Sequence, residues 1–343
     1  MGLRRPFFIF DNVDGRHSLF LFKFTFKFYG MPLSIPDLSE LHPRLQNEYQ
    51  IEYMLGAGGS GIVYRALRRS TGEICAIKFL YRHRVPATRL AIDQVTPETS
   101  MVVPMEVYIL RRLSHPNIVR LLDYFEDGHF YYVVTEFHGT KTVPKLPDVG
   151  VRQPSKGSMS SSDSMQSTDL FEFVETRGRL KESDAKHIMA QLIQAVAYLK
   201  SRNVFHLDLK DENVAIDEHM HVKLIDFGSA LVIPDGQKPI GNFYGTSAYA
   251  TPEYALHKVY RPEQNEIWCL GTMFYTMMLG NSPFSSATKI QERNLRWPAD
   301  GVVSDVGLRM LKSMLSFDTH HRICMQALAA SPYFHDVLDP ADH

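Results

Sequence analysis

The spacing of apolar residues predicts that the first half of the folded chain is rich in β-strands. Three segments have the apolar, β-branched and aromatic composition of strands: residues 49–66, which carry a glycine cluster in their middle, residues 75–79 and residues 130–138. Between them, residues 104–113 place Val107, Leu110 and Leu113 on one face of a helix. Pro104 suits the first turn of that helix, where its missing N–H group would have no partner in any case.

Helical periodicity takes over after residue 169. Asp169 is predicted to cap the helix that begins L-F-E-F-V. Four residues form the apolar face of a long helix over residues 181–200: Ile188, Leu192, Val196 and Leu199. A second apolar helix runs through Leu279, and further helices reach Phe334. This order predicts an α+β fold with a small β-rich lobe, a connector and a larger, mainly helical lobe.

Two segments fit neither pattern, residues 1–48 and residues 139–168. Five alternating phenylalanines predict a strand in the first segment: Phe20, Phe22, Phe24, Phe26 and Phe28. An added strand packed on the body, a partner-binding strand and a translation start at Met31 are all open, and we favour a poorly ordered extension outside the main fold. Residues 139–168 are dominated by Ser, Pro and Gly, so we expect a flexible insertion whose serines are either phosphorylation sites or solvated linker.

Composition narrows the class of protein. The 343 residues are 44% hydrophobic and 22% charged, and the net charge of −1 gives no reason to expect nucleic-acid or membrane binding. No apolar run reaches the ~18 residues of a membrane helix. Cys75, Cys269 and Cys324 lie far apart in apolar segments, which indicates reduced thiols rather than disulfides or metal ligands. We expect a monomer in the cytoplasm, with the nucleus as a second possible compartment.

The glycines Gly56, Gly58 and Gly61 have the spacing of a phosphate-binding loop. Backbone N–H groups can approach phosphates at glycines because no Cβ stands in the way. The spacing alone is weak evidence, since dinucleotide-binding folds share it. Those folds place a helix directly after the glycines, whereas residues 62–64 continue as a strand here, so we predict a hairpin loop.

Lys78 lies in the middle of the apolar strand 75–79, where a charged amine needs an anionic partner. Glu106, in the predicted helix 104–113, can supply that partner, and the pair would position the α- and β-phosphates of a nucleotide. Two alternatives stay open on spacing alone: Lys78 could extend to solvent from an edge strand, and Glu106 could be a solvated helix glutamate.

Four polar side chains follow two strand-like stretches within residues 204–230, and they suit phosphoryl transfer. Asp208 can accept a hydroxyl proton, and Lys210 can neutralise charge on the moving phosphoryl group. Asn213 and Asp226 offer hard oxygen ligands for Mg²⁺. The alternative, polar turns between buried strands, requires several coincidences at fixed spacing.

Over residues 49–336 the sequence resembles a eukaryotic protein kinase. The resemblance rests on the glycine-rich loop, the A-I-K lysine, the helix glutamate, the catalytic loop, the D-F-G sequence and a T-P-E sequence in place of the usual A-P-E. Several runs are similar to the PIM kinases of the calmodulin-dependent-kinase-like group, with the PAS-domain kinases a near second: V-P-M-E-V, R-L-L-D, D-L-F-E-F, K-D-E-N and K-L-I-D-F-G-S. The implied organisation is an extension at 1–48, an N-lobe at 49–138, the insertion at 139–168, a C-lobe at 169–336 and a tail at 337–343.

The same resemblance implies roles for single residues, with ATP and Mg²⁺ as cofactors and protein serines or threonines as substrates. The nucleotide would be bound by Gly56, Gly58, Gly61, Val63, Ala76, Lys78, Glu106, Glu136, His138 and Asp169. Asp208 would be the catalytic base, assisted by Lys210 and Thr246, and the Mg²⁺ ligands would be Asn213 and Asp226. Thr135 would be the gatekeeper. The basic side of a substrate would meet the acidic residues Asp169, Glu172 and Glu212.

Two departures from the family pattern stand out. Leu207 replaces the arginine that normally pairs with a phosphorylated residue of the activation loop, and Asn242 stands where many kinases carry that phosphorylated threonine. We therefore predict a loop held by packing and neutral hydrogen bonds, active without loop phosphorylation. Glu266 replaces the aspartate that normally binds the catalytic-loop backbone, and it is longer by one methylene group.

Three classes of function follow from these observations. The leading interpretation is an active serine/threonine kinase. A pseudokinase that acts as a scaffold is the second, supported by Leu207 and Glu266 and opposed by the complete set of catalytic residues. A small-molecule kinase is disfavoured by the full activation segment with T-P-E.

Glu253 and Arg322 would form the family's buried ion pair, unless Arg322 is a surface arginine.

Overall fold

In the computed structural model, the unit that contains the strands and helices described below begins at His42. The described residues are 41–58, 61–94, 96, 98–139, 169–234, 238–284, 287–293 and 295–335. The predicted phenylalanine strand at 20–28, the insertion from residue 140 to 168 and the tail at 337–343 lie outside them.

The N-terminal part of this unit is built on a five-stranded antiparallel sheet in the order β1-β2-β3-β7-β6. Its strands are β1 Tyr49–Ala57, β2 Gly61–Arg68, β3 Ile74–Tyr81, β6 Leu121–Glu126 and β7 Phe130–Glu136. Alternate residues of β3, Cys75, Ile77 and Phe79, are fully buried, which is the period-two pattern expected of a strand. The register sets Lys78 between Val63 of β2 and Val133 of β7, so the lysine belongs to a central strand and not to an edge.

A second hairpin and a helix complete this lobe. The hairpin consists of β4 Leu90–Gln94 and β5 Ser100–Pro104, which the apolar pattern did not predict. Helix α2, Met105–Leu110, follows directly and is shorter than the helix predicted over residues 104–113. Asp93 on the hairpin is 3% exposed and receives hydrogen bonds of 2.6 Å from Arg111 and Arg112, so the hairpin is tied to the end of α2.

The end of the N-terminal extension differs from the expectation that residues 1–48 lie outside the fold. Residues Pro43–Glu48 form a helix, α1, that packs on the sheet. Its Leu45 is 3% exposed, and Arg44 binds Asp123 of β6 at 2.6 Å. Six residues are too few to show helical periodicity, and the contacts that stabilise α1 come from a distant strand.

The C-terminal part is mainly helical. Its helices are α3 Leu170–Arg177, α4 Glu182–Ser201, α5 Pro252–His257, α6 Pro262–Leu279, α7 Ala287–Gln291, α8 Asp305–Met314, α9 Met325–Ala329 and α10 Pro332–His335. Short strands carry the loops between them: β8 Val204–Phe205, β9 Val214–Ile216, β10 Val222–Leu224 and β11 Leu231–Val232. The α+β prediction of a β-rich lobe followed by a helical lobe is confirmed.

Helices α4 and α6 form the centre of the C-terminal core. The predicted helix at 181–200 corresponds to α4, and the apolar residues expected on its face are all buried. Helix α6 begins five residues before the predicted start because polar residues of its first turns are also buried. At Gly271 a Cβ atom would lie 2.9 Å from Cβ of Met314, so the close packing of α6 on α8 requires glycine there. This rigid core supports the loops that carry the candidate active site.

Candidate active site

A cleft of about 280 Å³ lies between the sheet and the helical lobe, and most of the predicted nucleotide-binding residues line it. The residues that line it from the N-lobe and the connector include Gly56, Val63, Ala76, Lys78, Glu106, Thr135, Glu136 and His138, and Asp169 lines it from the start of the C-lobe. Glu212, Asn213 and Asp226 line it from the C-lobe. The structure therefore brings together residues that are up to 170 positions apart in sequence.

The glycine cluster forms the turn of the β1–β2 hairpin, as predicted. Gly58 donates a 2.9 Å backbone hydrogen bond to the carbonyl of Gly61, next to the pairing of Ala57 with Ile62 in the two strands. At Gly61 any Cβ would collide with the carbonyl oxygen of Phe79 on β3. Nothing lies within 4 Å of a Cβ built at Gly56 or Gly58. Glycine is thus required for packing at position 61, whereas the space around positions 56 and 58 is open, and Gly56 lines the cleft.

Lys78, Glu106 and Asp226 form a charged triad at the back of the cleft. Nζ of Lys78 lies 2.9 and 3.1 Å from the two carboxylate oxygens of Glu106 and 2.7 Å from Oδ1 of Asp226. Burial alone would lower the pKa of Lys78, but the two carboxylates outweigh it and raise that pKa. The positive charge of Lys78 lowers the pKa of Asp226 to about 2, so Asp226 is ionised at neutral pH.

The connector places Glu136 and His138 beside the cleft, with their side chains engaged elsewhere. The carboxylate of Glu136 binds Lys223 at 3.0 Å and accepts a 2.9 Å hydrogen bond from the amide of Arg120. Nε2 of His138 lies 2.9 Å from the carbonyl of His221. These contacts join the connector to both lobes and occupy the side chains, so adenine recognition would fall to main-chain groups.

The catalytic loop brings Asp208, Lys210 and Thr246 into one hydrogen-bonded group. Oδ1 of Asp208 accepts hydrogen bonds from the amide and the hydroxyl of Thr246, at 3.1 and 3.2 Å. Lys210 donates to the same hydroxyl at 3.1 Å, and its Nζ lies 3.7 Å from Oδ2 of Asp208. Asn213 donates to the backbone carbonyl of Asp208 at 2.8 Å and to Oδ2 at 3.3 Å. The carboxylate of Asp208 is thereby oriented from three sides.

Asn213 and Asp226 offer the oxygen atoms that would hold a divalent metal ion in the cleft. The amide nitrogen of Asn213 is used by Asp208, which leaves the amide oxygen as a ligand, and Asn213 lines the cleft. Asp226 is ionised and its side chain is 49% exposed at the same cleft. Mg²⁺ prefers one or two such oxygen ligands and completes its shell with phosphate and water.

Leu207 and Glu266, the two departures from the family pattern, are both accommodated. Leu207 is fully buried at φ 64° in a small apolar cluster with Phe205 and Tyr260. Residues of the segment after Asp226 pack against this cluster: Leu231, Ile233, Ile240, Phe243 and Tyr244. Glu266 reaches the catalytic loop and accepts a 2.6 Å hydrogen bond from the amide of His206.

An acidic group lies at the end of the cleft where the resemblance places the substrate. Asp169 caps α3 by accepting a hydrogen bond from the amide of Glu172 at 2.8 Å, as predicted. Burial, together with the charges of Glu172, Asp211 and Glu212, raises the pKa of Asp169 to about 7, although the hydrogen bond from the amide of Glu172 acts in the opposite direction. Glu212 is half exposed and lies 3.4 Å from Lys210, so the acidic group is continuous with the catalytic loop.

Two residues that support the site were not predicted from the sequence. Arg89 donates to the backbone carbonyls of Ser229 and Ala230, 140 and 141 positions away, and no local pattern marks it. Tyr249 donates a buried 2.9 Å hydrogen bond to Asp211. The D-E-N run could have indicated this hydrogen bond, since a buried aspartate after the catalytic lysine needs a partner.

The chain matches the family model described as the protein kinase domain over residues 49–334. It therefore belongs to the protein kinase family.

Curated relatives include the PSK2 serine/threonine-protein kinase of Saccharomyces cerevisiae, which is 30% identical over 80% of this chain and 23% of its own length. The PAS domain-containing serine/threonine-protein kinase of Mus musculus is 30% identical over 87% of this chain and 20% of its own length. The pim-2 serine/threonine-protein kinase of Danio rerio is 30% identical over 84% of this chain and 85% of its own length. The chain thus spans about a fifth of the first two relatives. The predicted resemblance to the PIM and PAS-domain kinases is confirmed.

Within the described residues, no helix has both the length and the apolar character to cross a bilayer.

Proposed function

We propose that this chain is a serine/threonine protein kinase that transfers the γ-phosphate of ATP to hydroxyl groups of protein substrates. The observation that carries the proposal is the hydrogen-bonded group of Asp208, Lys210 and Thr246. A carboxylate held from several sides, beside a lysine and at the mouth of a nucleotide-sized cleft, is the arrangement that phosphoryl transfer to a hydroxyl requires.

Each residue of the group has a distinct task in this proposal. Asp208 accepts the proton of the substrate serine or threonine hydroxyl as that oxygen attacks phosphorus. Lys210 stabilises the negative charge that is shared between the attacking and the leaving oxygens. Thr246 orients both of them, since its hydroxyl accepts from Lys210 and donates to Asp208.

Lys78 and the magnesium ligands would hold the nucleotide. Lys78 is positioned by Glu106 and keeps its positive charge, so it can bind the α- and β-phosphates. Asn213 and Asp226 would hold Mg²⁺, which when bound neutralises charge on the phosphates. The glycine-rich turn at Gly56 and Gly58 would cover them with backbone N–H groups.

We also propose that the activation segment needs no phosphate to hold its active arrangement. The buried Leu207 cluster supports this, because it joins the catalytic loop to the segment through apolar contacts. The hydroxyl of Tyr260 donates to the carbonyl of Asn242 at 3.1 Å, and residues 240 and 260 pair through two backbone hydrogen bonds. These contacts act at the position where many kinases use a phosphothreonine and an arginine.

The acidic group of Asp169, Glu172 and Glu212 supports a preference for substrates with basic residues upstream of the target hydroxyl. Asp169 and Glu212 line the cleft, and Glu212 lies beside Lys210. A substrate cation would relieve the mutual repulsion of the three carboxylates.

No observation favours the scaffold alternative over the kinase. Leu207 and Glu266 were its support, and both contribute to the order of the catalytic loop.

The buried free thiols Cys75 and Cys269 support a reducing compartment. We therefore propose a cytoplasmic protein that can also enter the nucleus and acts as a monomer, which imaging of the tagged chain and light scattering would test.

The decisive experiment is ATP-dependent phosphate transfer to an arginine-rich serine peptide. Freshly expressed and phosphatase-treated protein are compared, with Asp208→Asn as the control. Transfer that survives the phosphatase and is lost in the control supports both the activity and its independence from loop phosphorylation. Transfer that the phosphatase abolishes would remove the second claim alone. Absence of transfer together with absence of Mg-ATP binding would remove the first claim.

A further inference from the structure

Arg89 lies in a short 3₁₀ turn, Ala87–Arg89, between strand β3 and the β4–β5 hairpin of the N-lobe. Its guanidinium contacts the activation segment of the C-lobe, here residues 229–245. Nη1 donates to the carbonyl of Ser229 at 2.7 Å and to the carbonyl of Ala230 at 3.0 Å. These residues come directly after the D-F-G sequence, at the start of the segment.

The same guanidinium also contacts the end of the segment. Its Cζ atom lies 4.2 Å from the ring centroid of Tyr244, a cation–π distance. Tyr244 directly precedes Gly245 and Thr246, and the Thr246 hydroxyl orients Asp208. The hydroxyl of Ser229 donates to the carbonyl of Tyr244 at 3.3 Å, so the two ends of the segment meet at this point.

The chemistry of these contacts requires no phosphate. Within the part of the chain that the structure describes, Arg89 forms no ion pair with a carboxylate. Its partners are two carbonyl oxygens and one ring face. Burial lowers the pKa of Arg89, but an arginine stays protonated in proteins, so its charge is available to these dipoles at any physiological pH.

We propose that Arg89 is a positioning residue that clamps both ends of the activation segment and replaces the phosphate–arginine pair of other kinases. It acts through the segment on Thr246 and does not touch the reacting atoms. The clamp couples the N-lobe to the activation segment. Closure of the two lobes over a nucleotide would therefore order the segment at the same time. This inference rests on the proposed kinase activity and specifies how that activity is maintained.

Arg82 provides a matched control. It is also an N-lobe arginine that donates to a backbone carbonyl, that of Asp127 at 3.2 Å, and lies 4.4 Å from the ring centroid of Tyr131. All of these partners belong to the N-lobe. Arg82 also forms an ion pair with Glu126 of the N-lobe at 3.2 Å. Arg82→Ala therefore removes the same kinds of contact, and this ion pair in addition, without touching the activation segment.

The test uses phosphatase-treated full chain and three variants, Arg89→Ala, Arg89→Lys and Arg82→Ala. The kinetic readouts are kcat and KM for a serine peptide and for ATP. The structural readout is amide hydrogen exchange over residues 229–234 and 238–245. We expect Arg89→Ala to lower kcat about tenfold, with KM for ATP changed less than about twofold, because the loss is in positioning and not in nucleotide binding. Exchange over the segment should be faster, and Arg89→Lys should fall between, since lysine keeps the charge but not the planar fork.

Tyr244→Leu gives a second route if Arg89→Ala does not fold. It removes the ring partner, and combining it with Arg89→Lys should produce less than the sum of the two single effects. The clamp is overturned if the Arg89 variants match Arg82→Ala in kcat and in exchange, or if the Tyr244→Leu and Arg89→Lys effects are additive. A wild-type chain without transfer activity would overturn the proposed function, while the exchange data would still decide on the clamp.

Discussion

Oε1 of Glu266 accepts a 2.6 Å hydrogen bond from the backbone amide of His206. The glutamate lies on helix α6, where kinases of this type carry an aspartate, and its additional methylene group does not prevent the contact. Glu266 is 1% exposed, and burial raises its pKa to about 8, although the amides of His206 and Leu207 act in the opposite direction. The catalytic loop is therefore held by a carboxyl group that is mostly protonated at neutral pH.

The raised pKa of Glu266 predicts a specific pH dependence of stability. Between its ordinary value of 4.5 and about 8, the folded state keeps a proton that the unfolded state releases. This contribution to the free energy of unfolding is complete below pH 4.5 and is lost as the pH rises through 8. The side chain of the Glu266→Gln variant stays neutral. Relative to that variant, the free energy of unfolding of wild type should fall by on the order of 1 kcal/mol for each pH unit in that range.

Urea denaturation at pH 5.5, 7.0 and 8.5 measures this difference. Glu175→Gln, at an exposed position on α3, is the matched control and should run parallel to wild type. If Glu266→Gln also runs parallel to wild type over the whole range, the carboxyl group does not titrate as proposed.

The catalytic residues could be predicted from the sequence because their chemistry is fixed at short spacing. Asp208, Lys210 and Asn213 lie within six positions, and each residue type has one obvious use beside a phosphate. The pairing of Lys78 with Glu106 was also predictable, since a lysine in a central strand requires an anion.

The contacts that stabilise the activation segment could not be predicted in the same way. Arg89 and Ser229 are 140 residues apart, and nothing in either local sequence encodes their contact. From the sequence, Leu207 indicates only the loss of an interaction, because a single position cannot show the apolar residues that pack around it. The sequence does not mark the β4–β5 hairpin. Ile92 and Val102 are apolar residues on its exposed face, so the hairpin lacks the alternation of apolar and polar residues that usually indicates a strand.

Restoring the family arginine at position 207 should damage this protein. Leu207→Arg would bury a charge in an apolar cluster that contains Tyr260 and Phe205 and offers no phosphate. We expect the free energy of unfolding to fall by roughly 3 kcal/mol, and kcat to fall with it. Leu207→Met keeps the volume and polarity and should cost less than about 1.5 kcal/mol. Thermal and urea denaturation compare the two, and equal stability of both variants would argue against the apolar role.

The hydroxyl of Thr246 should matter for turnover and not for nucleotide binding. Thr246→Val keeps the shape but removes the hydrogen bonds to Asp208 and Lys210, so kcat should fall about tenfold or more. Thr246→Ser keeps the hydroxyl and should stay within about threefold of wild type. KM for ATP should be unchanged in both, because Thr246 does not line the nucleotide cleft. A change in ATP affinity without a change in kcat would contradict the assigned role.

Glu253 and Arg322 form the ion pair that the sequence suggested, and the side chain of Arg322 is fully buried. Arg322 donates to both carboxylate oxygens, at 2.8 and 3.0 Å, and to the carbonyls of Ser316 and Gln264. Arg322→Met should lower the free energy of unfolding by about 3–5 kcal/mol, since it leaves Glu253 unpaired. Adding Glu253→Leu removes that charge and should recover part of the loss. A double variant that is less stable than Arg322→Met would show that the pair is not the main contribution.

Charge reversal at Glu212 tests the preference for basic substrates. Glu212→Lys should reduce kcat/KM for an arginine-rich peptide more than for a neutral peptide, by about tenfold in the ratio, because it replaces an attractive charge by a repulsive one. Glu212 also lies 3.4 Å from Lys210, so part of the loss will be common to both peptides. The ratio of the two peptides separates the common loss from the specific one. Glu175→Lys carries the same change at an exposed position of α3 that does not line the cleft, and it should leave the ratio unchanged. Equal losses for both peptides in Glu212→Lys would mean that this carboxylate serves the catalytic loop and not the substrate.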